Sequence, residues 1–224
     1  MTAYSDVAGE QPDPTLRPAA ELLAAMLRQW RRLAGAVAAI DDWGAPTRLA
    51  GWTCRTLLGH LVVVAEAIPR TLAEPPADGP PVSVYAVFAG ASGRAADNDQ
   101  RAREFAASAE PAELLVRLEA AVNGIPDDID GEAVLPTRFG PLPTRHFLVH
   151  RIMEGVVHGL DLPAPLRPDA DALDVCATAL RQLLARTRPE LLRHVPADEI
   201  AWVEAATGRT PPPTELGSAL PLLA

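Results

Sequence analysis

His150-Arg-Ile-Met-Glu154-Gly-Val-Val-His158-Gly-Leu-Asp161 sets a carboxylate and an imidazole four positions apart, at Glu154 and His158. On an α-helix, residues i and i+4 share a face about one turn apart, so both side chains can close on one ion. Far upstream, Gly51-Trp-Thr-Cys-Arg-Thr-Leu-Leu-Gly-His60-Leu-Val-Val-Val64 puts a third candidate, His60, inside a strongly apolar segment. Two histidines and one carboxylate leave a position open on a zinc-like ion, the arrangement of a catalytic site rather than a structural one.

The later segment offers more donors than one ion needs. His146, His150, Glu154 and His158 recur every fourth residue and drift only about 40° per step around a helix axis. Residues i and i+8 lie about 12 Å apart along that axis, too far to meet at one centre, so one adjacent pair must serve. Spacing alone prefers Glu154/His158 only slightly. His60 by itself is also compatible with a core histidine whose nitrogens are satisfied. Gly59 and Gly155, next to His60 and Glu154, each cost a helix about 1 kcal/mol relative to alanine. Small residues there are expected to let the two ligand-bearing helices approach closely. Asp161 follows the helix, where its dipole disfavours a negative charge. It is either an acceptor that orients a ligand imidazole or an Asx-type turn leading into Pro163. His150 is likewise either a pocket base or a structural residue.

Hydrophobic residues make up 48% of the 224-residue chain but aromatics only 4%, so the interior must be packed with Ala, Leu and Val. That favours helices over strands. The length suits one core with a smaller appendage. The formal charge is −9, and all basic residues are arginines without a long run, which excludes the basic stripe that nucleic-acid backbones require. The first residues lack a basic start followed by an apolar stretch, and the long apolar runs are broken by charges, His or Pro. Neither a secretion signal nor a membrane partner is therefore expected, and the expected location is cytoplasmic. Cys54 and Cys176 lie in separate apolar segments, as buried small hydrophobes rather than a disulfide framework.

Pro18 opens a helix that runs to Ile40, and Thr53 can cap a second from Cys54 to about Leu72, ended by the prolines of 75–81. Helical patterns follow at Ala95–Ala107 and from Pro111 through Val122, as two helices or one broken one. Pro143 or Thr144 opens the helix carrying Glu154, which should end near Gly159 because Pro163, Pro165 and Pro168 forbid continuation. Further helices are expected at Asp169–Leu192 and Ala197–Ala206, and the apolar tail should dock. No strand alternation is convincing. The expected architecture is all-α: a flexible N-terminus over 1–16, an antiparallel four-helix bundle over 17–165 that holds the metal, and a short, mainly helical C-terminal extension over 166–224. Bundles commonly build metal sites from side chains on facing helices.

Trp52 with the helix through His60-Leu61, and Glu154-x-x-x-His158-Gly-x-Asp161 some ninety residues later, resemble the metal motif of the mycothiol-dependent maleylpyruvate isomerase family. That family is related to the DinB-like metalloenzymes, which include thiol S-transferases and hydrolases. The resemblance implies a DinB-like four-helix bundle and a divalent metal, usually zinc, whose ligands fall here on His60, Glu154 and His158. It also implies the low-molecular-weight thiol mycothiol as cofactor. Thr56 stands where the family often has an aspartate. The family commonly adds a C-terminal α/β domain, whereas here a shorter, apparently helical stretch follows, in which Trp202-Val-Glu-Ala-Ala-Thr-Gly-Arg209 resembles the family's closing segment.

A metal held by two neutral imidazoles and one carboxylate keeps net positive charge, so a bound water or thiol becomes more acidic and a carbonyl oxygen is polarised. The leading expectation is an enzyme that uses mycothiol for S-transfer to, or cis–trans isomerisation of, a small electrophilic substrate. His150 is then a candidate proton carrier, and Arg94, Arg138 and Arg145 are candidates to bind an anionic substrate. The alternatives are a metal-dependent hydrolase or tailoring enzyme without thiol, and a non-catalytic metal-binding protein.

Overall fold

The computed structural model describes residues 12–223, which are predominantly helical. Eight α-helices are described: α1 (Ala19–Ala38), α2 (Cys54–Ala73), α3 (Val84–Ala89), α4 (Ala95–Ala107), α5 (Pro111–Asn123), α6 (Thr144–Leu160), α7 (Ala170–Thr187) and α8 (Glu199–Ala206). Thr53 caps α2 by accepting from the Thr56 N–H (3.3 Å), and Pro111 occupies the first turn of α5. Residues 1–11 of the stretch expected to be flexible lie outside the described residues. The rest of it is ordered: Pro14–Leu16 form a 3-10 turn, with Pro14 and Thr15 buried and Asp13 accepting from the Thr15 N–H (2.9 Å).

Four helices make the bundle, and their contacts fix its directions. Arg55 donates to the carbonyls of Ala106 and Ala109 near the start of α5, and Arg117 pairs with Glu66 half a helix further on (2.8 Å), so α2 and α5 are parallel. α1 begins beside Gly131, in the segment that leads into α6, and its later Arg32 reaches the carbonyl of Arg167 beyond the end of α6 (2.9 Å). α1 and α6 are therefore also parallel. The loop between α1 and α2 folds back tightly, with the Cys54 and Arg55 N–H groups donating to Ala45 and Trp43, so the two pairs run in opposite directions. α2 is long and apolar enough by composition to cross a membrane, but in this fold it is a bundle helix with its apolar side in the core.

Two expectations need correction. The segment before α6 is a β-hairpin, β1 (Val134–Thr137) with β2 (Gly140–Pro143), paired antiparallel from Val134↔Pro143 to Thr137↔Gly140. Pro136, Pro141 and Pro143 hide it, because proline removes ladder donors and is confined to sheet edges. The helix expected over Asp169–Leu192 ends at Thr187, since Pro189 pushes Arg188 out of the helical region (φ −145°, ψ 61°). A 3-10 turn, Pro189–His194, completes the span.

Gly59 and Gly155 do allow close approach, but not of α2 to α6. A Cβ at Gly59 would lie 2.6 Å from the Ala102 carbonyl and 2.7 Å from the Ala106 nitrogen of α4. One at Gly155 would meet Gln29 and Trp30 of α1, whose side chains donate to the carbonyls of Gly155 (2.8 Å) and Arg151 (3.0 Å). Each glycine thus seats a neighbour on the back of a helix that carries a candidate ligand.

The segments after α6 share the same core. Cys176, Leu180 and Leu184 of α7 and Trp202 of α8 are buried, the Trp202 indole donates to the Ala177 carbonyl (3.0 Å), and the tail docks through Leu216 and Leu220.

Gly59→Ala adds helix propensity worth about 1 kcal/mol. It also drives a methyl group into the backbone of α4, and overpacking of this kind costs about 1–3 kcal/mol. We expect a net loss of stability, read as a lower urea midpoint at unchanged m-value; an equal or higher midpoint would contradict this packing.

Candidate metal centre

His60 enters from the second turn of α2, and Glu154 and His158 from successive turns of α6. Their donor atoms all lie within 4.8 Å of one another, and among the described residues they are the one group of His, Cys, Asp or Glu side chains so arranged. Glu154 Oε2 is 3.4 Å from His60 Nε2 and 3.2 Å from His158 Nε2. Charge-assisted hydrogen bonds are shorter, about 2.7–2.9 Å. A tetrahedron with metal–ligand bonds of about 2.0–2.1 Å has edges of roughly 3.3–3.4 Å, so these separations suit donors that share one ion.

A chain of polar groups holds the imidazole of His158. Its Nδ1–H donates to Asp161 Oδ2 (2.8 Å), which leaves Nε2 facing Glu154. Asp161 is fully buried and is clamped from behind by Arg209, whose Nε and Nη2 reach its two oxygens at 2.9 and 2.8 Å. The orienting role is thus the one the geometry favours for Asp161, and Arg209 offsets the negative charge at the end of α6. On the other side, Trp52 packs edge-on against His60 (centroids 5.5 Å apart), and its indole N–H donates to Asp99 (2.7 Å).

Burial opposes ionisation of Glu154, but the nearby nitrogens of His158 and His60 outweigh it and hold the carboxyl well below the usual range. For His158, burial alone would favour the neutral form. Asp161 and Glu154 reverse this and raise it to about 9. Burial, too, opposes the charge of Asp161, yet its bonds to His158 and Arg209 bring it down to about 2. Burial pushes His60 down, with no carboxylate behind its ring to compensate as Asp161 does for His158.

His150 lies one turn before Glu154, with Nε2 3.5 Å from Glu154 Oε1. Its ring sits near Phe88 and Phe139, its Nδ1 is buried without a hydrogen-bond partner, and burial lowers it to about 3. It is therefore a neutral imidazole beside the cluster. His146 is not in the site: its Nδ1 accepts from the Val84 N–H (3.0 Å) and anchors α3.

A cavity of about 500 Å³ opens over the three residues, with Trp52, Phe88, Met153 and Phe139 among its walls. Arg94 and Arg138 line it and flank the Phe139 ring at 4.9 and 4.8 Å. Arg145 does not reach it, because it is turned outward to pair with Glu132. Arg138 and Phe139 are carried there by the hairpin turn, so overlooking the hairpin also hid how they are positioned. Arg209, Asp99 and Asn98 were not singled out for the site either. Their only sequence signal was the closing Thr-Gly-Arg209 and a polar run at the start of α4.

The sequence profile of the family described as "Mycothiol maleylpyruvate isomerase N-terminal domain" matches residues 17–163. The chain belongs to this family. Its matched span contains His60, Glu154, His158 and Asp161 but stops short of Arg209, so within the mycothiol maleylpyruvate isomerase N-terminal domain family the match leaves the clamp behind Asp161 to the following segment. Two solved structures share the DinB-like helical fold. One is the mycothiol-dependent maleylpyruvate isomerase, with 17% identity and a TM-score of 0.52, and the other is a histidine-to-alanine variant of that enzyme, with 18% identity and a TM-score of 0.54. Each comparison covers 74% of this chain and 68% of the other. A search of curated proteins finds no match.

The raised His158 implies a pH dependence for the metal-free protein. Its folded value, about 9, exceeds the ordinary 6.5, so its contribution to stability is complete below pH 6.5 and is lost as pH rises through 9. In the presence of chelator, the denaturation midpoint should fall between pH 7 and pH 10 more steeply for the native sequence than for His158→Gln. Parallel slopes would remove His158 as the group responsible.

Proposed function

We propose that this protein is a cytoplasmic, divalent-metal-dependent enzyme, with zinc the first candidate ion, that uses a low-molecular-weight thiol for S-transfer to, or cis–trans isomerisation of, a small electrophilic substrate. In this reading the metal-binding unit is the bundle of residues 17–165, with 166–224 as its extension. The observation that carries it is the pair of nitrogen–oxygen separations at Glu154, 3.4 and 3.2 Å, which suit a shared ion better than hydrogen bonds. Mycothiol is the thiol of choice because of family membership.

His60, Glu154 and His158 are the ligands in this reading, and Asp161 keeps the Nε2 lone pair of His158 directed inward. The ion would supply a Lewis acid that makes a thiol more acidic and polarises a carbonyl oxygen. His150, which burial keeps neutral, is the carrier that relays the thiol proton onward rather than holding it. Arg94 and Arg138 hold the anionic group of the substrate, while Phe88 and Phe139 keep the cavity wall apolar. The thiolate sulfur bonds to one carbon of the substrate's double bond, whose electron pair moves toward the conjugated carbonyl. Rotation about the resulting single bond and expulsion of the thiolate restores the double bond with trans geometry. If the adduct instead takes up a proton and departs, the outcome is S-transfer.

One equivalent of divalent metal per chain is expected by elemental analysis, with near-complete loss in His60→Ala and His158→Ala. His150→Gln should retain it while lowering turnover. Full metal in both alanine variants, or loss in His150→Gln equal to theirs, would overturn the ligand set. For the thiol, calorimetric titration of metal-loaded protein with mycothiol should give metal-dependent binding that is absent in Glu154→Ala. No heat and no thiol-dependent turnover would leave a thiol-independent hydrolase as the better description.

A further inference from the structure

Beside the cluster lies a second, smaller cavity of about 140 Å³ that adjoins the large one, with His60, Glu154, Asn98, Arg138 and Phe139 lining both. Four arginines line it. Arg70, Arg101 and Arg138 are exposed around it, whereas Arg151 is only 7% exposed, with its guanidinium over the Phe147 ring (5.0 Å). Among the described residues, none of the four lies within 4 Å of a carboxylate, and the guanidinium of Arg151 has no hydrogen-bond partner, its Nε being buried and unsatisfied. Its nearest acidic neighbour on the helix, Glu154, is already engaged by His60, His150 and His158.

A guanidinium cannot shed its proton to escape burial, and a buried charge without a partner is strongly unfavourable. Arg151 sits mid-helix on α6, so the fold keeps it facing this space. Among the described residues no carboxylate supplies the missing counter-charge, and a bound anion can. The chemistry that satisfies a planar fork of N–H donors is an oxyanion, which accepts two parallel hydrogen bonds. At about 140 Å³ the space is well below the roughly 300 Å³ of a small-molecule pocket, so it suits a head group rather than a whole ligand.

We propose that this cavity is an oxyanion subsite, closed at its base by Arg151 and rimmed by Arg70, Arg101 and Arg138, that takes a carboxylate of a substrate whose reacting carbons lie in the larger cavity. Arg138, which lines both cavities, lies where the ligand passes from one to the other. The assignment of that ligand as the substrate rests on the function proposed above, whereas the existence of an oxyanion site does not. The subsite selects molecules with an anionic group set away from the reacting centre.

The test uses the full chain treated with chelator, titrated at fixed ionic strength with inorganic phosphate and with succinate. We expect saturable binding of succinate, at least tenfold tighter than phosphate, because its carbon chain can span both cavities. Arg151→Met and Arg138→Met should each weaken it tenfold or more, with Arg28→Met, which lies outside both cavities and pairs with Asp169, near the native value. Arg138 lies on an exposed hairpin turn, so its variant remains informative if Arg151→Met fails to fold. Absence of binding, or native affinity in Arg138→Met, overturns the subsite. Phosphate binding as tightly as succinate overturns its role for a substrate carboxylate and leaves a resident inorganic ion. Because no metal is present, a failed metal assignment cannot masquerade as failure here, and a protein that takes up metal yet binds neither anion refutes only the subsite.

Discussion

Glu154 carries its charge in a partly buried site, with its side chain 21% exposed, and the neighbours that make this tolerable come from two helices. His60 reaches it from α2, and His158 and His150 from the turns of α6 on either side. An isolated buried carboxylate would neutralise itself by taking a proton. Here the surrounding nitrogens hold it ionised instead, and the same nitrogens are the donors that a divalent ion requires. The cost of burying charge and the capacity to bind a cation are two aspects of one arrangement.

That arrangement depends on back-to-back packing. Trp30 and Gln29 press α1 against α6 at Gly155, and α4 presses against α2 at Gly59, so both ligand-bearing helices are fixed from behind. Little rotation is left to either, which keeps three side chains aimed at one point. The front is built from less regular pieces, the hairpin turn and the start of α4, and these carry Arg138, Phe139 and Asn98. Rigid helices set the ligands, and the loops set what can approach them.

The bundle was legible because its helices are long, apolar on one side and punctuated by proline and a good cap at Thr53. Period and breakers agree over each of them. That His60, Glu154 and His158 come together was legible through spacing together with the family motif, since spacing alone left several pairs on α6 open. The hairpin was not, because three prolines erase the alternation that marks strands. The end of α7 was missed because the apolar pattern runs on past Pro189 into a 3-10 turn. Arg209 and Arg151 lay beyond sequence reasoning for a different reason. An arginine in a sequence looks like solvent-exposed charge, and only the packing shows that one clamps Asp161 while the other is buried without a partner.

The reach from Asp161 to Arg209 also has a consequence for how the protein comes into being. The imidazole of His158 is oriented by a carboxylate that is itself held by a residue 48 positions later. On a ribosome, His60, Glu154 and His158 emerge and can pack as a bundle while Arg209 has yet to be synthesised. Until it arrives, Asp161 is a buried negative charge lacking its clamp at the end of a helix that disfavours it. In the early bundle, His158 is then the partner left to Asp161. The order of synthesis thus puts the three candidate ligands in place before the residue that fixes the orientation of one of them.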